Sequence, residues 1–373
     1  MKYYIIAGEA SGDLHASRLI RAIRENDQQA VFRAWGGDLM QDEGAEIVKH
    51  YRDLAFMGFI EVISNLRTIL GNMGFCKKDM IAFNPDLVVF VDYPGFNIPM
   101  ARFAKHHNFK TVYYISPQVW AWKEKRVKIL RKVIDRMLVI LPFEKAFYQR
   151  WNYETTYVGH PLIEIIDGFN EVNEKGKVKE ELGIAYDKTV IALLPGSRIQ
   201  EIKKKLPIML EATKYFKNQL FVVAQATSLS DELITSFTAA YPNVKIIKGE
   251  TYKILSIADA AVVTSGTATL ETALFQVPEV VCYKSSSISY AIGKRLIKVP
   301  YISLVNLIMN KPVVDELIQD ELTPENIKSS LEKIIYPSPQ REAMKNEFIE
   351  LYHLLKAGGA ASKKAAEIIH QLL

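Results

Sequence analysis

Two turns of small residues in the second half of the chain have the composition of phosphate-binding loops. The first, Thr264-Ser265-Gly266-Thr267, follows the apolar run Ala260 to Val263 and opens into a helical pattern over Ala268 to Phe275. When a strand delivers the chain to a helix in this way, free backbone N–H groups and the positive end of the helix dipole face a ligand. The segment therefore predicts a site for an anion such as a nucleotide diphosphate.

Glu271 lies about one turn into the same helical pattern. A carboxylate at this position can accept hydrogen bonds from two adjacent hydroxyl groups, such as those of a ribose. An alternative is an ordinary helix start, with Ser265 or Thr267 as the N-cap and Glu271 as its capping-box partner. The motif alone leaves both interpretations open.

The second turn, Pro195-Gly196-Ser197-Arg198, follows the apolar run Val190 to Leu194 and precedes a helical pattern near Ile199 to Leu210. Small residues allow the backbone to approach a ligand closely, and Arg198 offers a permanent charge on a planar fork that suits phosphate. Because parallel α/β sheets bind ligands at the carboxyl ends of their strands, the two turns indicate one crevice. We favour a shared ligand site over two unrelated loops.

Length and composition restrict the remaining possibilities. The chain of 373 residues exceeds the usual single core, so two domains are expected, and its 49% hydrophobic and 24% charged residues are typical of globular proteins. Cys76 and Cys282 are too few and too distant for a disulfide framework or a zinc site, which suits a reducing cytoplasm. Seven scattered histidines add no metal-ligand pattern, so neither a metal nor a cofactor is predicted. The first residues lack a signal-peptide layout, and no apolar run reaches membrane-spanning length.

Apolar, strand-like runs alternate with helical segments through both halves of the chain. This rhythm predicts an α/β architecture of two Rossmann-like domains, each with a parallel sheet wrapped by helices, facing an interdomain cleft. The charged stretch Asn170 to Lys177 is predicted to be a linker, and Gln340 to Leu373 is helical by pattern apart from Gly358-Gly359. The predicted strands are Tyr3 to Ala7, Val31 to Trp35, Leu87 to Val91, Thr111 to Ile115, Arg136 to Ile140, Val190 to Leu194, Leu220 to Ala224, Val244 to Ile247, Ala260 to Val263 and Glu279 to Tyr283.

Carboxylates follow two strands of the first half. Asp92 comes directly after Leu87 to Val91, and a strand-tip carboxylate that faces the cleft is suited to act as a general base. Glu9 and Asp13 follow the first strand and occupy the equivalent position on a neighbouring turn. For Asp13 the alternative is a cap on a helix that begins near Leu14.

Aromatic, apolar and basic segments surround these carboxylates. Trp120 follows another strand, where an indole face suits a sugar ring, although a buried tryptophan is the commoner role. Basic clusters at Lys123 to Lys132 and Lys203 to Lys205 fit either a surface toward anionic lipid or a solvated helix face, and no nucleic-acid recognition module accompanies them. An apolar stripe comprises Met57, Phe59, Ile60, Ile63, Leu66, Ile69, Leu70 and Met73. Core packing is the usual role of such a stripe, and membrane or acyl-chain contact becomes the better interpretation if the ligand is a lipid.

A series of motifs follows in order along essentially the whole chain. They are Gly8-Glu9-Ala10-Ser11-Gly12-Asp13, Met57-Gly58 with Glu61-Val62, Asp92-Tyr93-Pro94-Gly95-Phe96-Asn97, Ser116 to Trp122, Pro142-Phe143-Glu144, Gly159-His160-Pro161, Leu194-Pro195-Gly196-Ser197-Arg198 and Ser265 to Glu271. Together they resemble the lipid A disaccharide synthase family, and the collection is far more specific than any single motif.

That resemblance implies a GT-B glycosyltransferase fold and an enzyme of lipid A and lipopolysaccharide biosynthesis, cytoplasmic and peripherally associated with the inner membrane of a Gram-negative cell. The implied reaction joins UDP-2,3-diacylglucosamine to 2,3-diacylglucosamine 1-phosphate through an inverted β-1,6 link and releases UDP. The implied domains are an acceptor and membrane-facing domain at 1–169, a UDP-sugar domain at 170–340, and a helical segment at 341–373 that packs back on an N-terminal domain. A homodimer with exchanged C-terminal elements is implied as well.

By position, the resemblance makes Asp92 and Arg198 essential and places Glu9 in an important first loop. Our hypothesis is that Asp92 deprotonates the acceptor 6-hydroxyl in a single displacement, that Glu9 orients the acceptor or tunes Asp92, and that Arg198 stabilises the UDP leaving group together with a helix start, without a metal. The UDP-sugar site is assigned to Gly196, Ser197, Arg198, Ser265, Gly266, Thr267, Thr269 and Glu271. Acceptor or lipid contacts are assigned to Ser11, Asp13, Met57, Phe59, Ile60, Ile63, Leu66 and Trp120.

Two alternatives remain open at this point. One keeps the fold and changes the chemistry: a UDP-N-acetylglucosamine 2-epimerase, or another GT-B transferase with a different acceptor. The strongly apolar segment of the first domain argues against a soluble acceptor. The other is a non-catalytic nucleotide-sugar or lipid-binding protein, which the presence of both Asp92 and Arg198 disfavours.

Overall fold

The computed structural model describes residues 1–54, 66–286, 290, 293–295 and 299–373. The contacts among them define two compact units, Met1–Pro161 with Leu355–Leu373, and Leu162–Leu354. Each unit contains one parallel β-sheet with helices between successive strands. This is the α/β architecture that the alternating sequence pattern predicts.

The sheet of the first unit is doubly wound. Its strands are β1 (Lys2–Ala7), β2 (Val31–Gly36), β3 (Glu46–His50), β4 (Leu87–Val91), β5 (Lys110–Tyr114), β6 (Arg136–Val139) and β7 (Thr156–Tyr157). They lie in the order β3-β2-β1-β4-β5-β6-β7, and β1 and β4 are paired with Ala7 opposite Val91. Because the order reverses between β1 and β4, a ligand-binding crevice is expected beyond the carboxyl ends of these two strands.

Helices connect these strands, and a buried polar network fixes one of them against the sheet. The helices are α1 (Ala10–Asn26), α2 (Asp38–Asp42), α3 (Leu66–Phe83), α4 (Pro94–His106), α5 (Val119–Trp122), α6 (Val127–Val133) and α7 (Pro142–Gln149). The Tyr4 hydroxyl of β1 donates to Asp79 of α3 over 2.7 Å and accepts from the Trp35 indole over 2.8 Å. Arg33 adds three hydrogen bonds to the same carboxylate. Such satisfied buried groups specify one arrangement of helix and sheet.

The second unit repeats the doubly wound pattern. Its strands are β8 (Val190–Leu194), β9 (Leu220–Gln225), β10 (Val244–Lys248), β11 (Ala260–Thr264), β12 (Glu279–Tyr283) and β13 (Asp315–Ile318), in the order β10-β9-β8-β11-β12-β13. Its helices are α8 (Pro161–Val172), α9 (Lys175–Glu181), α10 (Ile199–Thr213), α11 (Asp231–Thr238), α12 (Thr251–Ile257), α13 (Thr267–Leu274), α14 (Leu304–Met309), α15 (Pro324–Ile334) and α16 (Pro339–Lys356). Here the order reverses between β8 and β11, which are paired with Leu194 opposite Val263.

The last helix, α17 (Ala361–Leu372), belongs to the first unit. It packs against α1 and buries Ala361, Ala365 and Ile369 in the core beneath the first sheet. The Lys110 ammonium also donates to the Leu372 carbonyl over 2.7 Å. The chain therefore enters the second unit once and returns to the first at its end.

The predicted strands are confirmed, each to within one residue at either end. The linker predicted at Asn170 to Lys177 is wrong, because α8 continues to Val172 and α9 begins at Lys175. Lysine and glutamate are good helix formers, and Val178 of α9 is buried in the core of the second unit. The charge of this stretch therefore marks the solvent face of a helix rather than a linker.

Glu279, the first residue of β12, offers a test of the core of the second unit. It is 0% exposed, and neither of its carboxyl oxygens has a hydrogen-bond partner among the described residues. Burial raises its pKa well above the ordinary value. A raised folded-state pKa contributes stability that is complete below the unfolded pKa and is lost as the pH rises toward the folded value.

We predict that Glu279→Gln raises the melting temperature more at pH 8 than at pH 5. The expected gain at pH 8 is about 1–3 kcal/mol in the free energy of unfolding, because glutamine, unlike glutamate, does not have to take up a proton when the chain folds. Thermal unfolding at both pH values measures it, with the exposed Glu342→Gln in the same unit as the control. An equal shift at pH 5 and pH 8 would show that the carboxyl charge is not the cause.

Candidate active site

The crevice end of the first unit brings Glu9 and Asp92 together. Glu9 follows β1 as the N-cap residue of α1, and Asp92 follows the neighbouring strand β4. Burial, and secondly the negative charge of Glu9, raises the pKa of Asp92 to about 7. A carboxyl group with such a pKa can exchange a proton near neutral pH, as a general base must.

The backbone at Asp92 has an uncommon conformation. Asp92 and Tyr93 both have positive φ, 43° and 48°, which costs on the order of 1–3 kcal/mol for each residue that is not glycine. Two buried groups hold it, because the Asp92 carbonyl accepts from the Asn97 amide over 2.7 Å and from the Tyr113 hydroxyl over 2.5 Å. Gly8 leaves room for the turn, since a Cβ there would overlap the Tyr93 ring. Backbone strain of this kind is common at functional sites, where it orients a side chain for its role.

Asp13 is a buried structural carboxylate. α1 begins at Ala10, so the helix start predicted near Leu14 is wrong, because the small residues after β1 allow the helix to form at once. The Asp13 side chain accepts from the backbone N–H groups of Gly37, Leu39 and Met40 at 2.7, 3.2 and 3.2 Å. It therefore caps α2, a helix distant in sequence, while the neighbouring Ser11 is exposed in the first turn of α1.

Trp120 offers little of its ring to a ligand. It is 7% exposed, packs edge-on against Phe143 and donates its indole N–H to Glu144 over 3.2 Å. The buried Glu144 also accepts from the Ser116 hydroxyl over 2.5 Å and from the Leu141 backbone over 2.9 Å, and burial raises its pKa to about 7. The segments after β5 and β6 are thus joined through one carboxylate.

In the second unit the two predicted turns line one cavity of about 280 Å³. Gly196, in the turn after β8, has φ +105°, and a Cβ there would overlap the Glu201 carboxylate. The lining consists of Leu194, Gly196, Ser197, Arg198, Glu201, Ala224, Ala226, Thr251, Thr264, Ser265, Gly266, Thr267, Ala268 and Glu271. These residues lie at the carboxyl ends of neighbouring strands or in the turns and helices that follow them, where the sequence predicts the anion site.

The start of α13 faces this cavity without a side-chain cap. Its N-cap is Gly266, and the Ser265 hydroxyl donates instead to the Ile302 carbonyl over 2.9 Å. The capping-box interpretation is therefore wrong. Thr269 is buried, and its hydroxyl donates to the Gly266 carbonyl over 2.8 Å, so it shapes the turn from behind. The helix start itself presents backbone N–H groups to a ligand.

Two charged side chains line the same cavity. Glu271 accepts a hydrogen bond from the Tyr252 hydroxyl over 3.0 Å, and burial raises its pKa. Arg198 is 58% exposed at the N-cap of α10 and donates to Glu201 over 3.3 Å. The ammonium of Lys205, which is buried, lies 3.8 Å from the other oxygen of Glu201. Glu201 thus orients the Arg198 fork, and Tyr252 orients Glu271.

The apolar stripe is only partly within the described residues. Met57, Phe59, Ile60 and Ile63 lie outside them, as does the side chain of Leu66. Farther along α3, Leu70 is 58% exposed and Phe75 is 49% exposed, whereas Cys76 and Met80 are buried. Within the described ranges, no helix is long and apolar enough to cross a membrane, and no cluster of three or more His, Cys, Asp or Glu residues could hold a metal ion.

Comparison with known proteins decides the family. The model of the lipid-A-disaccharide synthetase family matches residues 3–371. The chain belongs to this family. It is 40% identical over 367 residues to the lipid-A-disaccharide synthase of Syntrophus aciditrophicus, covering 97% of this chain and 95% of the relative. As a member of this family it is an enzyme, a glycosyltransferase that acts in lipid A disaccharide synthesis.

Solved structures agree on the fold. UDP-GlcNAc 2-epimerase from Neisseria meningitidis, bound to UDP-GlcNAc, superposes with a TM-score of 0.65 at 13% identity, covering 100% of both chains. The glycosyltransferase of kitacinnamycin gives 0.66 at 13% identity, covering 100% of this chain and 99% of that one. At such identities the likeness shows the GT-B fold alone. The family match therefore decides between transferase and epimerase, and it favours the transferase.

Proposed function

We propose that this member of the family transfers 2,3-diacylglucosamine from UDP to the 6-hydroxyl of 2,3-diacylglucosamine 1-phosphate, forming a β-1,6 link and releasing UDP. The match of residues 3–371 to the family carries the reaction class. The local geometry of the two strand-end sites supports the roles of individual residues.

The cavity of the second unit is proposed to hold the UDP moiety. Its diphosphate meets the backbone N–H groups at the start of α13 and the Arg198 fork, both of which favour anionic oxygens. Gly196, Ser197, Ser265, Gly266 and Thr267 allow close approach, and Thr269 supports the turn. The Glu271 carboxylate, oriented by Tyr252, is placed to accept from ribose hydroxyls.

Asp92 is proposed as the general base. It removes the proton from the acceptor 6-hydroxyl as that oxygen attacks the anomeric carbon, and the bond from that carbon to the UDP oxygen breaks in the same step. A single displacement inverts the configuration. Negative charge grows on the departing UDP, where Arg198 and the positive end of α13 stabilise it. Glu9 raises the pKa of Asp92 by its charge.

The acidic limb of the pH profile tests the Glu9–Asp92 pair. Because a base works when deprotonated, kcat/KM is expected to rise with pH through about 7, the pKa of Asp92. Glu9→Gln removes the negative neighbour, so the limb should move to lower pH, and the displacement should shrink at high salt. The exposed Glu154→Gln in the same unit serves as the control. An unmoved limb in Glu9→Gln would exclude this coupling.

Tyr113→Phe tests whether the hydrogen bond to the Asp92 carbonyl positions the Asp92 side chain. The change removes one of the two hydrogen bonds to the Asp92 carbonyl, so we expect a loss of about 1 kcal/mol in the free energy of unfolding. The transfer rate should fall about tenfold, because the Asp92 carboxyl is aimed less accurately at the acceptor hydroxyl. The acidic pKa of the pH profile should not change, because the carboxyl group itself remains. Tyr153→Phe is the matched control, because the buried Tyr153 hydroxyl has no partner among the described residues. Equal rates in both variants would refute a positioning role.

Membrane association and a homodimer complete the proposal. Leu70, a member of the apolar stripe, and Phe75 are exposed on α3, and they support contact of the first unit with the inner membrane and with acyl chains. The homodimer rests on family resemblance. Ser11 is proposed to contact the acceptor directly, and Trp120 is proposed to lie near it with its indole bonded to Glu144. Asp13 is proposed to support the acceptor site by capping α2.

The direct test incubates the purified protein with UDP-2,3-diacylglucosamine and 2,3-diacylglucosamine 1-phosphate in detergent, followed by mass spectrometry of the lipids. A disaccharide monophosphate formed with stoichiometric UDP is expected. Release of UDP without the disaccharide would point to another acceptor, and absence of donor consumption would overturn the proposal.

A further inference from the structure

A second cavity, of about 430 Å³, lies in the first unit and is lined by basic side chains. Its lining consists of Val127, Lys128, Arg131, Lys132, Arg150, Trp151 and Asn152. Helix α6 leads into the start of β6, and Trp151-Asn152 precedes the start of β7. The cavity is thus near the amino ends of these strands, whereas Asp92 follows the carboxyl end of β4. It is separate from the proposed reaction site.

Four cations converge on this cavity from two elements. Lys128, Arg131 and Lys132 share one side of α6 by their spacing of three and four residues, and Arg150 approaches from the end of α7. All four are exposed, and no ion pair with an acidic side chain is found for them in the described part of the chain. By contrast, nearby Lys105 is paired with Asp135.

Both guanidinium groups are held in place. The Arg131 Nη1 donates to the Trp151 carbonyl over 2.9 Å, which fixes its plane across the two elements. The Arg150 guanidinium lies over the Phe147 ring, 5.3 Å from its centroid. A fixed planar fork loses little entropy when it binds an anion with two oxygens, and phosphate has the matching geometry.

We propose that this cavity is a binding site for a phosphate-bearing anion, held by the Arg131 and Arg150 forks with Lys128 and Lys132 neutralising further charge. The ligand class is a phosphate ester or polyphosphate of two or more negative charges, because four unpaired cations favour more than one anionic group. A membrane lipid headgroup and a soluble phosphate share this chemistry. The site does not depend on the proposed transfer reaction.

The test compares the full-length protein with Lys128→Gln/Lys132→Gln/Arg150→Gln, which leaves the Arg131 hydrogen bond intact. The control, Lys188→Gln/Lys203→Gln/Lys217→Gln, makes the same charge change at exposed positions of the second unit. Tripolyphosphate is titrated by calorimetry in proteins that also carry Arg198→Ala, which weakens anion binding at the other cavity, and sedimentation measures binding to phosphatidylcholine vesicles with and without phosphatidylglycerol. Thermal unfolding checks that each variant folds.

The expected result is at least tenfold weaker binding of the anion by the cavity variant and unchanged binding by the control. If the cavity variant loses binding to the phosphatidylglycerol vesicles while the control variant retains it, the anion is a lipid headgroup. Loss of tripolyphosphate binding alone assigns it to a soluble phosphate. Equal anion binding by the cavity variant and the control, or no binding of either probe by the parent protein, would overturn the site. Neither readout needs transferase activity.

Discussion

Asp92→Asn is expected to lower kcat for transfer by about 10²–10⁴-fold while UDP still binds, because the general base is lost and the cavity of the second unit is untouched. The asparagine side chain has nearly the same size but cannot accept a proton from the acceptor hydroxyl. The hydrogen bonds from Asn97 and Tyr113 remain, because both side chains donate to the main-chain carbonyl of residue 92. Turnover of the lipid substrates and calorimetry with UDP measure the two quantities separately.

The matched control for this variant is Asp42→Asn, an exposed carboxylate of the same unit. It should keep the parental rate. Because burial raises the pKa of Asp92, removal of the ionisable group should not destabilise the fold at pH 8. Undiminished transfer by Asp92→Asn would exclude Asp92 as the base, and loss of UDP binding would show that the substitution acts through structure.

Arg198→Ala is expected to lower kcat by about 10²–10³-fold, the usual effect of removing one group that stabilises developing charge. It should also weaken UDP binding, because Arg198 lines the diphosphate cavity in the ground state as well. Arg198→Lys should recover only part of the rate, since the ammonium keeps the charge but not the planar fork. Single-turnover rates and UDP affinities are the measurements.

The control for Arg198 lies on the same helix. Lys203→Ala removes an exposed cation farther along α10 that does not line the cavity. If Arg198 acts through its position at the diphosphate, Lys203→Ala should leave kcat unchanged. Equal losses in both variants would indicate a general electrostatic effect of α10 and would contradict the specific role of Arg198.

Of the strands that could be predicted from the sequence, all but the edge strand β10 have two neighbours. Their runs, such as Leu87–Val91 and Val190–Leu194, are apolar throughout because both faces are covered by helices. The strands that were missed are β3, β7 and β13, and each lies at an edge of its sheet. Half-exposed edge strands carry polar residues, as in Glu46–His50, so no apolar run marks them.

The residues of the candidate site that depend on local sequence could be predicted, whereas those that depend on contacts between distant elements could not. The turns at Gly196 and Gly266 were predictable because strand, small residues and helix follow one another directly in sequence. Tyr113 and Tyr252 were not, because each reaches its carboxyl or carbonyl partner from another element. Tyr252 follows the end of β10, so the strand-tip rule applied to that strand is the one signal that points to it.

Asp13 illustrates how a local rule misassigns a residue. A helix cap was a sound expectation for a carboxylate at a strand-to-helix turn, but the capped helix is α2, reached only through the fold. The sequence gives Glu144 no role beyond its motif, because its hydrogen bonds to Ser116 and Trp120 join the segments that follow two different strands. Such contacts depend on the order of strands in the sheet, which sequence spacing does not encode.

The most direct test of the central claim is nuclear magnetic resonance of the disaccharide that the purified protein forms from the two lipid substrates, with UDP release followed in parallel. We expect a β-1,6 linkage, inverted relative to the donor, and one UDP for each disaccharide. A product with retained configuration, or a linkage through another hydroxyl, would contradict a single displacement by the acceptor 6-hydroxyl with Asp92 as its base.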